Sequence, residues 1–298
     1  MIETQEVVIE RVVSAMGADA LSYSSEHAGS RTLAATGFKA RRVAKKGTSL
    51  FDFALPPAVR AAVGLEIKAV IAATFSNEVR FPSLAVRIAS ALGLPQTVPA
   101  FDLQLACSAY PYAVYLASKL SRDLNGRVLV VDADMQSRYL DEADSATGIV
   151  MDDCATASVV YSPGASGGAS VFDFYSSYGE ALYCGESGPI RMDGFKVFSF
   201  VATEVVRMLK ALPGDYDVFV PHRANMYMVR QLAKSIGAGS KLLVAEDAGA
   251  NPGSSSIPLT LSLCAKPGRA LLAGFGAGFS ASAAIVTLPP SFEGCCLG

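Results

Sequence analysis

Short apolar runs alternate with helix-spaced apolar positions along most of the chain. Residues 67–74 form a run of strand length, and behind Pro82 the positions Leu84, Ile88, Ala91 and Leu92 recur at helical spacing until Gly93 stops them. The same alternation predicts a strand over 98–104 that runs into Cys107. It also predicts a helix with Ala113, Leu116, Ala117 and Leu120 on its apolar face, then strands over 127–132 and 157–161. Ser162-Pro-Gly-Ala-Ser-Gly-Gly168 breaks the pattern near the midpoint.

Beyond the break the plan repeats. Residues 217–222 read as a strand ending at His222, Val229, Leu232, Ala233 and Ile236 mark a helix that Gly237 stops, and 242–245 reads as another strand. A Gly/Asn/Pro/Ser turn over 249–256 leads to an apolar helix through 259–263. Gly268-Arg269 then opens a strand as Gly126-Arg127 does 142 residues earlier, and moving Cys107 by that interval lands in the loop that holds Asn251. Two βα-rich halves, 1–161 and 162–298, predict an α/β protein with pseudo-two-fold organisation. At the start, the spacing of 6–16 reads as a helix. The uncharged stretch 270–288 is long enough to span a membrane, yet Gly274, Gly276 and Gly278 at its centre predict two antiparallel strands about a tight turn.

Composition narrows the class. With 51% hydrophobic and 17% charged residues over 298 positions, the chain is neither disordered nor collagen-like. Twenty-five basic against 27 acidic side chains exclude a global positive field for nucleic acid. The six cysteines form no C-x-x-C pair, which predicts reduced cytosolic thiols and neither a disulfide framework nor a metal site. The opening Met-Ile-Glu-Thr-Gln-Glu lacks the apolar segment of a secretory signal, so the expectation is a cytoplasmic protein without a membrane anchor.

Three residues stand where chemistry is done. Cys107 lies where a strand gives way to a helix, a position at which the helix dipole is expected to lower the thiol pKa. His222, one of two histidines, ends a strand, and Asn251 opens the corresponding turn of the next unit. Strand ends of a doubly wound sheet converge on one crevice, so Cys, His and Asn can meet there for acyl-thioester chemistry. Taken singly, each has a plainer reading: a buried core thiol, a hydrogen-bonded histidine, an ordinary Asn-Pro-Gly turn. His27, in a Ser/Gly-rich segment, reads as a surface residue.

The stretches around these residues carry a family resemblance. Phe81-Pro-Ser, Pro99-Ala-Phe-Asp-Leu-Gln-Leu-Ala-Cys107-Ser-Ala and Val220-Pro-His222-Arg-Ala-Asn225 occur in order, followed by Asn251-Pro-Gly-Ser-Ser-Ser-Ile-Pro258 and Gly274-Phe-Gly-Ala-Gly-Phe279. From Thr36 to Leu288 the chain resembles a β-ketoacyl-acyl-carrier-protein synthase III, the initiating condensing enzyme of the thiolase superfamily. The resemblance implies a five-layered αβαβα fold, a homodimer and no cofactor. It implies that Cys107 takes an acyl group from acyl-CoA or acyl-carrier protein. His222 and Asn251 would then bind the thioester carbonyl of malonyl-carrier protein while carbon dioxide leaves, and the resulting carbanion would attack the acyl-cysteine. The backbone N–H groups of Cys107 and Ala277 would form the oxyanion hole. Phe275 and Leu182 would line the acyl pocket, and Phe81 would reach across the dimer interface into the partner's. Arg223, Asn225, Arg230 and Lys234 would meet carrier protein or coenzyme A; the basic run 39–46, with Arg41 and Arg42, is the densest in the chain and reads equally as a surface for those partners or as a solvated face.

The chain also departs from the family. It opens with the helical pattern of 6–16 instead of a Gly-rich strand, and it has no tryptophan where members commonly stack adenine, near 31–38. Tyr227 stands where the docking arginine is usual, and the segment 180–192 is a short Gly/Ser stretch. These differences fit a specialised member in secondary metabolism. Two alternatives remain open from sequence: an acyltransferase that does not decarboxylate, and a non-catalytic partner subunit of a heterodimer.

Overall fold

The computed structural model describes residues 1–23, 31–144, 146–164, 168–186 and 188–297. His27 lies outside them. The first part of the chain forms β1 (Ile2–Gln5), β2 (Val8–Met16), β3 (Asp19–Ser22), α1 (Arg31–Thr36), β4 (Ala40–Val43), α2 (Leu50–Ala62), β5 (Ile67–Ala73) and α3 (Leu84–Ala91). Then follow β6 (Ala100–Leu103), α4 (Ala109–Asp123), β7 (Arg127–Met135), β8 (Asp153–Tyr161), β9 (Ala169–Ser176), β10 (Leu182–Tyr183) and β11 (Arg191–Met192). The last part holds α5 (Gly194–Phe200), a π-helical turn leading into α6 (Val206–Ala211), β12 (Val218–Pro221), α7 (Met226–Ser235) and α8 (Ser256–Cys264). It ends in β13 (Gly268–Gly276), β14 (Ser280–Leu288) and β15 (Glu293–Leu297).

Two mixed sheets carry the architecture. One runs β6–β5–β7–β8–β2 and the other β12–β13–β14–β9–β1, joined by the single pairing of Thr287 with Val8. In the first, β5 is parallel to β6 and β7 while β8 is antiparallel to both neighbours; in the second, β12 is parallel to β13 and the rest are antiparallel. The two strands marked by Gly-Arg, β7 and β13, each have a parallel neighbour on one side and an antiparallel neighbour on the other. The chain ends cross over: β1 pairs with β9, and β15 with β2.

Side-chain alternation explains the layering. In β7, Val128 and Val130 face α4 while Leu129 and Val131 face α2 and α3, so the strand reads as an unbroken apolar run because both faces are buried. Tyr110, Ala113 and Val114 of α4, with Ile257 and Leu261 of α8, fill the space between the sheets against Leu272 and Val286. Val197, Leu209 and Leu232 cover the outer face of the second sheet at Phe219, Leu271 and Ile285. The order is helix, sheet, helix, sheet, helix. Each fully buried Leu, Ile or Val contributes about 1.5–3 kcal/mol, which makes the twice-covered strands the most strongly held part of the chain.

The strand pair expected over 270–288 is present as β13 and β14. Among the described residues no helix is long and apolar enough to cross a membrane. Two expectations are corrected. The segment 6–16 is strand β2, not a helix, so the first core strand exists. A register shift between Ile9 and Arg11 puts Ile9 and Val12 on the same side, three positions apart, which imitates helical spacing. Residues 242–245 make only one bridge, Leu242 with Phe219, because the chain turns there and the Ala245 carbonyl is claimed by Arg223. Helix α2 escaped the periodicity because Pro56 and Pro57 lie inside it; Ser49 caps its start by accepting from the Asp52 N–H at 3.1 Å.

Candidate active site

Cys107 sits in a 3₁₀ turn, Ala106–Ser108, between β6 and α4. Ala106 before it has φ +45°, a left-handed conformation that costs a non-glycine residue about 1–2 kcal/mol. The turn is tied down from β14: Ser108 Oγ lies 2.7 Å from Ser280 Oγ, and Ser282 Oγ donates to the Ser108 carbonyl at 2.6 Å. Strand β13 approaches so closely that a Cβ on Gly274 would lie 3.0 Å from the Cys107 carbonyl oxygen, and one on Gly276 would lie 3.3 Å from Cys107 Sγ. Gly274→Ala is therefore expected to destabilise the fold by about 1–3 kcal/mol through overpacking, read from the denaturant midpoint. An unchanged midpoint would mean the turn yields freely.

The expected lowering of the thiol pKa is not what the site provides. Cys107 is 8% exposed, and burial, with the nearby Asp134 carboxylate adding to it, pushes its thiol up to about 12. Desolvation outweighs the backbone hydrogen bonding that opposes it, so the resting nucleophile is a neutral thiol. Its alkylation by iodoacetamide is expected to accelerate about tenfold per pH unit from pH 6 to about pH 9, following the thiolate fraction. A plateau beginning below pH 8 would contradict this.

His222 follows β12 directly, and its N–H donates to the Ala273 carbonyl at 2.7 Å. The ring meets the edge of Phe275 at a centroid separation of 5.4 Å, and Nδ1 has no hydrogen-bond partner among the described residues. Burial drives the imidazole pKa down to about 3; the Gly253 backbone opposes this and the Arg223 charge reinforces it. The histidine is thus neutral across the working pH range. Asn251 has its backbone fully engaged: its N–H donates to Val150 at 2.8 Å, and its carbonyl accepts from the Asp152 N–H at 2.8 Å and Gln136 Nε2 at 2.9 Å. Its Oδ1 accepts from the Gly253 N–H at 2.9 Å, which leaves Nδ2 as the donor with no engagement among the described residues.

Gly253 draws these residues together. Its backbone interacts with His222 and Asn251, and it lines, with Cys107, a cavity of about 920 Å³. Phe75, Tyr139, Leu182, Tyr183 and Phe279 supply apolar wall, and Ala277 lies on the rim between β13 and β14. Leu182 is one of the residues lining the cavity. Phe275 is not: it is 1% exposed and packs into the outer core of the second sheet, because it points to the face of β13 opposite Gly274 and Gly276. Phe81 is 85% exposed and lies outside the cavity of its own chain.

Sequence reasoning missed Asp134, which lines the same cavity. Its Oδ1 accepts from Thr74 Oγ1 at 2.9 Å, the Phe75 N–H at 3.0 Å and Ser76 Oγ at 3.0 Å, tying the end of β5 to β7. Burial raises its carboxyl to about 6 against the pull of those bonds. The signal was Asp132-Ala-Asp134, two acids continuing a buried apolar strand. No group of three or more His, Cys, Asp or Glu among the described residues is arranged to hold a metal ion.

Models of the two halves of 3-oxoacyl-[acyl-carrier-protein (ACP)] synthase III match residues 101–178 and 209–288. The β-ketoacyl-[acyl-carrier-protein] synthase III of Mycobacteroides abscessus is 32% identical over 291 residues, 86% of this chain and 85% of its own length. The chain belongs to the synthase III family. A 3-oxoacyl-(acyl-carrier protein) synthase from Burkholderia xenovorans shares the fold of this synthase III chain at TM-score 0.88, covering 99% of this chain and 98% of its own, with 24% identity. A priming β-ketosynthase of a polyketide biosynthetic pathway superposes at TM-score 0.85 with 26% identity, covering 97% of this chain and 98% of its own. The five-layered thiolase-type fold and membership of a condensing-enzyme family are thereby established. Of the docking residues expected in this synthase III chain, Arg223 and Arg41 are corrected: both are buried and spend their guanidinium groups on backbone carbonyls. Asn225 caps α7, accepting from the Met228 N–H at 2.7 Å, and Arg42 is half-buried with its N–H on Asp152. Arg230, paired with Glu246 at 3.0 Å, and Lys234 are exposed on α7.

Proposed function

We propose that the protein carries out a decarboxylative Claisen condensation between an acyl group held on Cys107 and a malonyl thioester, with Asn251 and His222 as the donor pair. The observation that carries this reading is the Asn251 amide, whose Oδ1 is held by the N–H of Gly253, a residue that lines the cavity together with Cys107, while Nδ2 has no partner among the described residues. In the loading step the Cys107 sulfur forms a bond to the acyl carbon of acyl-CoA or acyl-carrier protein, the donor's C–S bond breaks, and the thiol proton leaves with the departing thiolate. In the second step malonyl-carrier protein binds with its thioester oxygen toward Asn251 and His222. The electrons of the bond to the carboxylate pass into the enolate as carbon dioxide departs. A neutral imidazole suits this role, since it can donate one N–H without bringing a charge that would hold the malonyl carboxylate in place. The enolate carbon then bonds to the acyl carbon, and the Cys107 sulfur leaves and takes up a proton. The N–H groups of Cys107 and Ala277 are proposed to hold the developing oxyanion, each worth about 3 kcal/mol.

The same reading makes the protein a cytoplasmic homodimer. Phe81 precedes Ser83, which caps α3, and the first N–H groups of α3 donate to Asp102 on the edge strand β6 at 2.8 Å. Phe81 is thereby held beside an open sheet edge, a position from which it can enter a partner's cavity. The direct test supplies labelled malonyl thioester and an acyl donor. The condensing reading expects one carbon dioxide released per β-ketoacyl thioester formed. Acyl transfer without carbon dioxide would support the plain acyltransferase, and no turnover with either donor class would support the partner-subunit reading.

A further inference from the structure

Asp152 and Arg223 are 2% and 1% exposed, and the reaction described above uses neither. Their charges converge on Ala250, the residue before Asn251. The Ala250 N–H donates to Asp152 Oδ2 at 2.5 Å, and Arg223 Nη2 donates to the Ala250 carbonyl at 2.5 Å, so a carboxyl group and a guanidinium hold its two backbone groups; burial raises the Asp152 carboxyl to about 7 against the pull of these bonds and of Arg223. Arg223 also donates to the Ala245 carbonyl, and to that of Ala248 at 2.8 Å, so its guanidinium is spent on the loop 245–250. Asp152 Oδ1 accepts from the Arg42 N–H at 2.8 Å, and the Asp152 N–H donates to the Asn251 carbonyl at 2.8 Å. Gly249, at φ +82°, makes room for this approach, since a Cβ there would collide with Asp152 Oδ2.

The other end of the device is His222. Arg223 is joined to it by one peptide bond, and the Arg223 N–H donates to Ser256 Oγ at 2.6 Å, at the start of α8. One side chain thus spans from the strand end that carries His222 to the loop that carries Asn251. Buried charges are costly unless paired and fully hydrogen-bonded, and an apolar residue would support an ordinary loop at lower cost. What charge adds is short, directional bonds.

We propose that Asp152 and Arg223 are positioning residues that fix the Asn251 amide relative to His222, and so serve the decarboxylation step specifically. This inference rests on the condensation reading. The test separates the half-reactions in Asp152→Asn, Arg223→Gln and Arg223→Lys, alongside Asn251→Ala, each first checked for folding by circular dichroism. Acyl loading is read by intact mass with an acyl-CoA or acyl-carrier-protein donor. Decarboxylation is read as carbon dioxide released from malonyl-CoA or malonyl-carrier protein. Loading is expected to stay within about threefold of the parent, while kcat for decarboxylation falls about 10²-fold with KM little changed. Arg223→Lys should recover about tenfold over Arg223→Gln, because it restores the charge without the fork. If Arg223→Gln does not fold, Asp152→Asn decides alone. Decarboxylation within threefold of the parent in Asp152→Asn, or a parallel loss of both half-reactions in a folded variant, overturns the proposal. If Asn251→Ala keeps decarboxylation, the condensation reading falls and the positioning role with it; if Asn251→Ala loses it and the charge-pair variants do not, only the positioning role falls.

Discussion

Cys107→Ala is expected to abolish condensation, on the order of 10⁶-fold and into background, while leaving malonyl-thioester decarboxylation measurable. The reason is the division of labour in the site. Cys107 is the acyl carrier; among the described residues one other cysteine, Cys184, lines the same cavity, and it follows β10 instead of standing in the turn that leads into α4. The donors for the enolate are elsewhere: Asn251 is held by Val150, Gln136, Asp152 and Gly253, and His222 by Ala273, none of which involves the sulfur. Alanine keeps the Cβ that packs near Gly276, so the turn between β6 and α4 loses one sulfur atom and no tie. Parallel loss of decarboxylation in a folded Cys107→Ala protein would show that the two halves of the site are not separable.

Asn251→Ala is expected to have the complementary phenotype. Removing one preorganised donor costs about 10²–10³-fold in the step that builds negative charge on oxygen, so decarboxylation and condensation fall together while the acyl-cysteine still forms. One structural cost accompanies the change. The Gly253 N–H loses the Oδ1 that accepts it at 2.9 Å, but the Asn251 backbone bonds survive, so the loop should remain in place. Single-turnover loading by mass and carbon dioxide release from a malonyl thioester measure the two steps separately. Full decarboxylation in the variant would remove Asn251 from the chemistry and leave the plain acyltransferase in its place.

Much of this organisation is legible in the order of residues. The paired Gly-Arg strands mark β7 and β13, and the nucleophile and donors lie after β6, after β12 and before α8, places that periodicity locates well. What the sequence hid has physical causes. The bulge near Ile9 shifted the phase of β2 and imitated a helix. Arg223 reads as a docking charge because burial of a guanidinium by backbone carbonyls of a distant loop has no local signature. The thiol of Cys107 was expected to be acidic from the helix beside it, yet desolvation by the surrounding turn and β13 decides its state. Phe275 alternates away from the cysteine, which strand register settles and a Gly-Phe-Gly motif alone does not.

The central claim is that Cys107 carries the acyl group. Intact-protein mass after incubation with a panel of acyl-CoA and acyl-carrier-protein donors, for the parent protein and Cys107→Ala, tests it most directly. A gain of one acyl group from one donor class, present in the parent and absent from the variant, is the predicted result and identifies the starter. An adduct that persists in Cys107→Ala, or no adduct from any donor, would contradict the account.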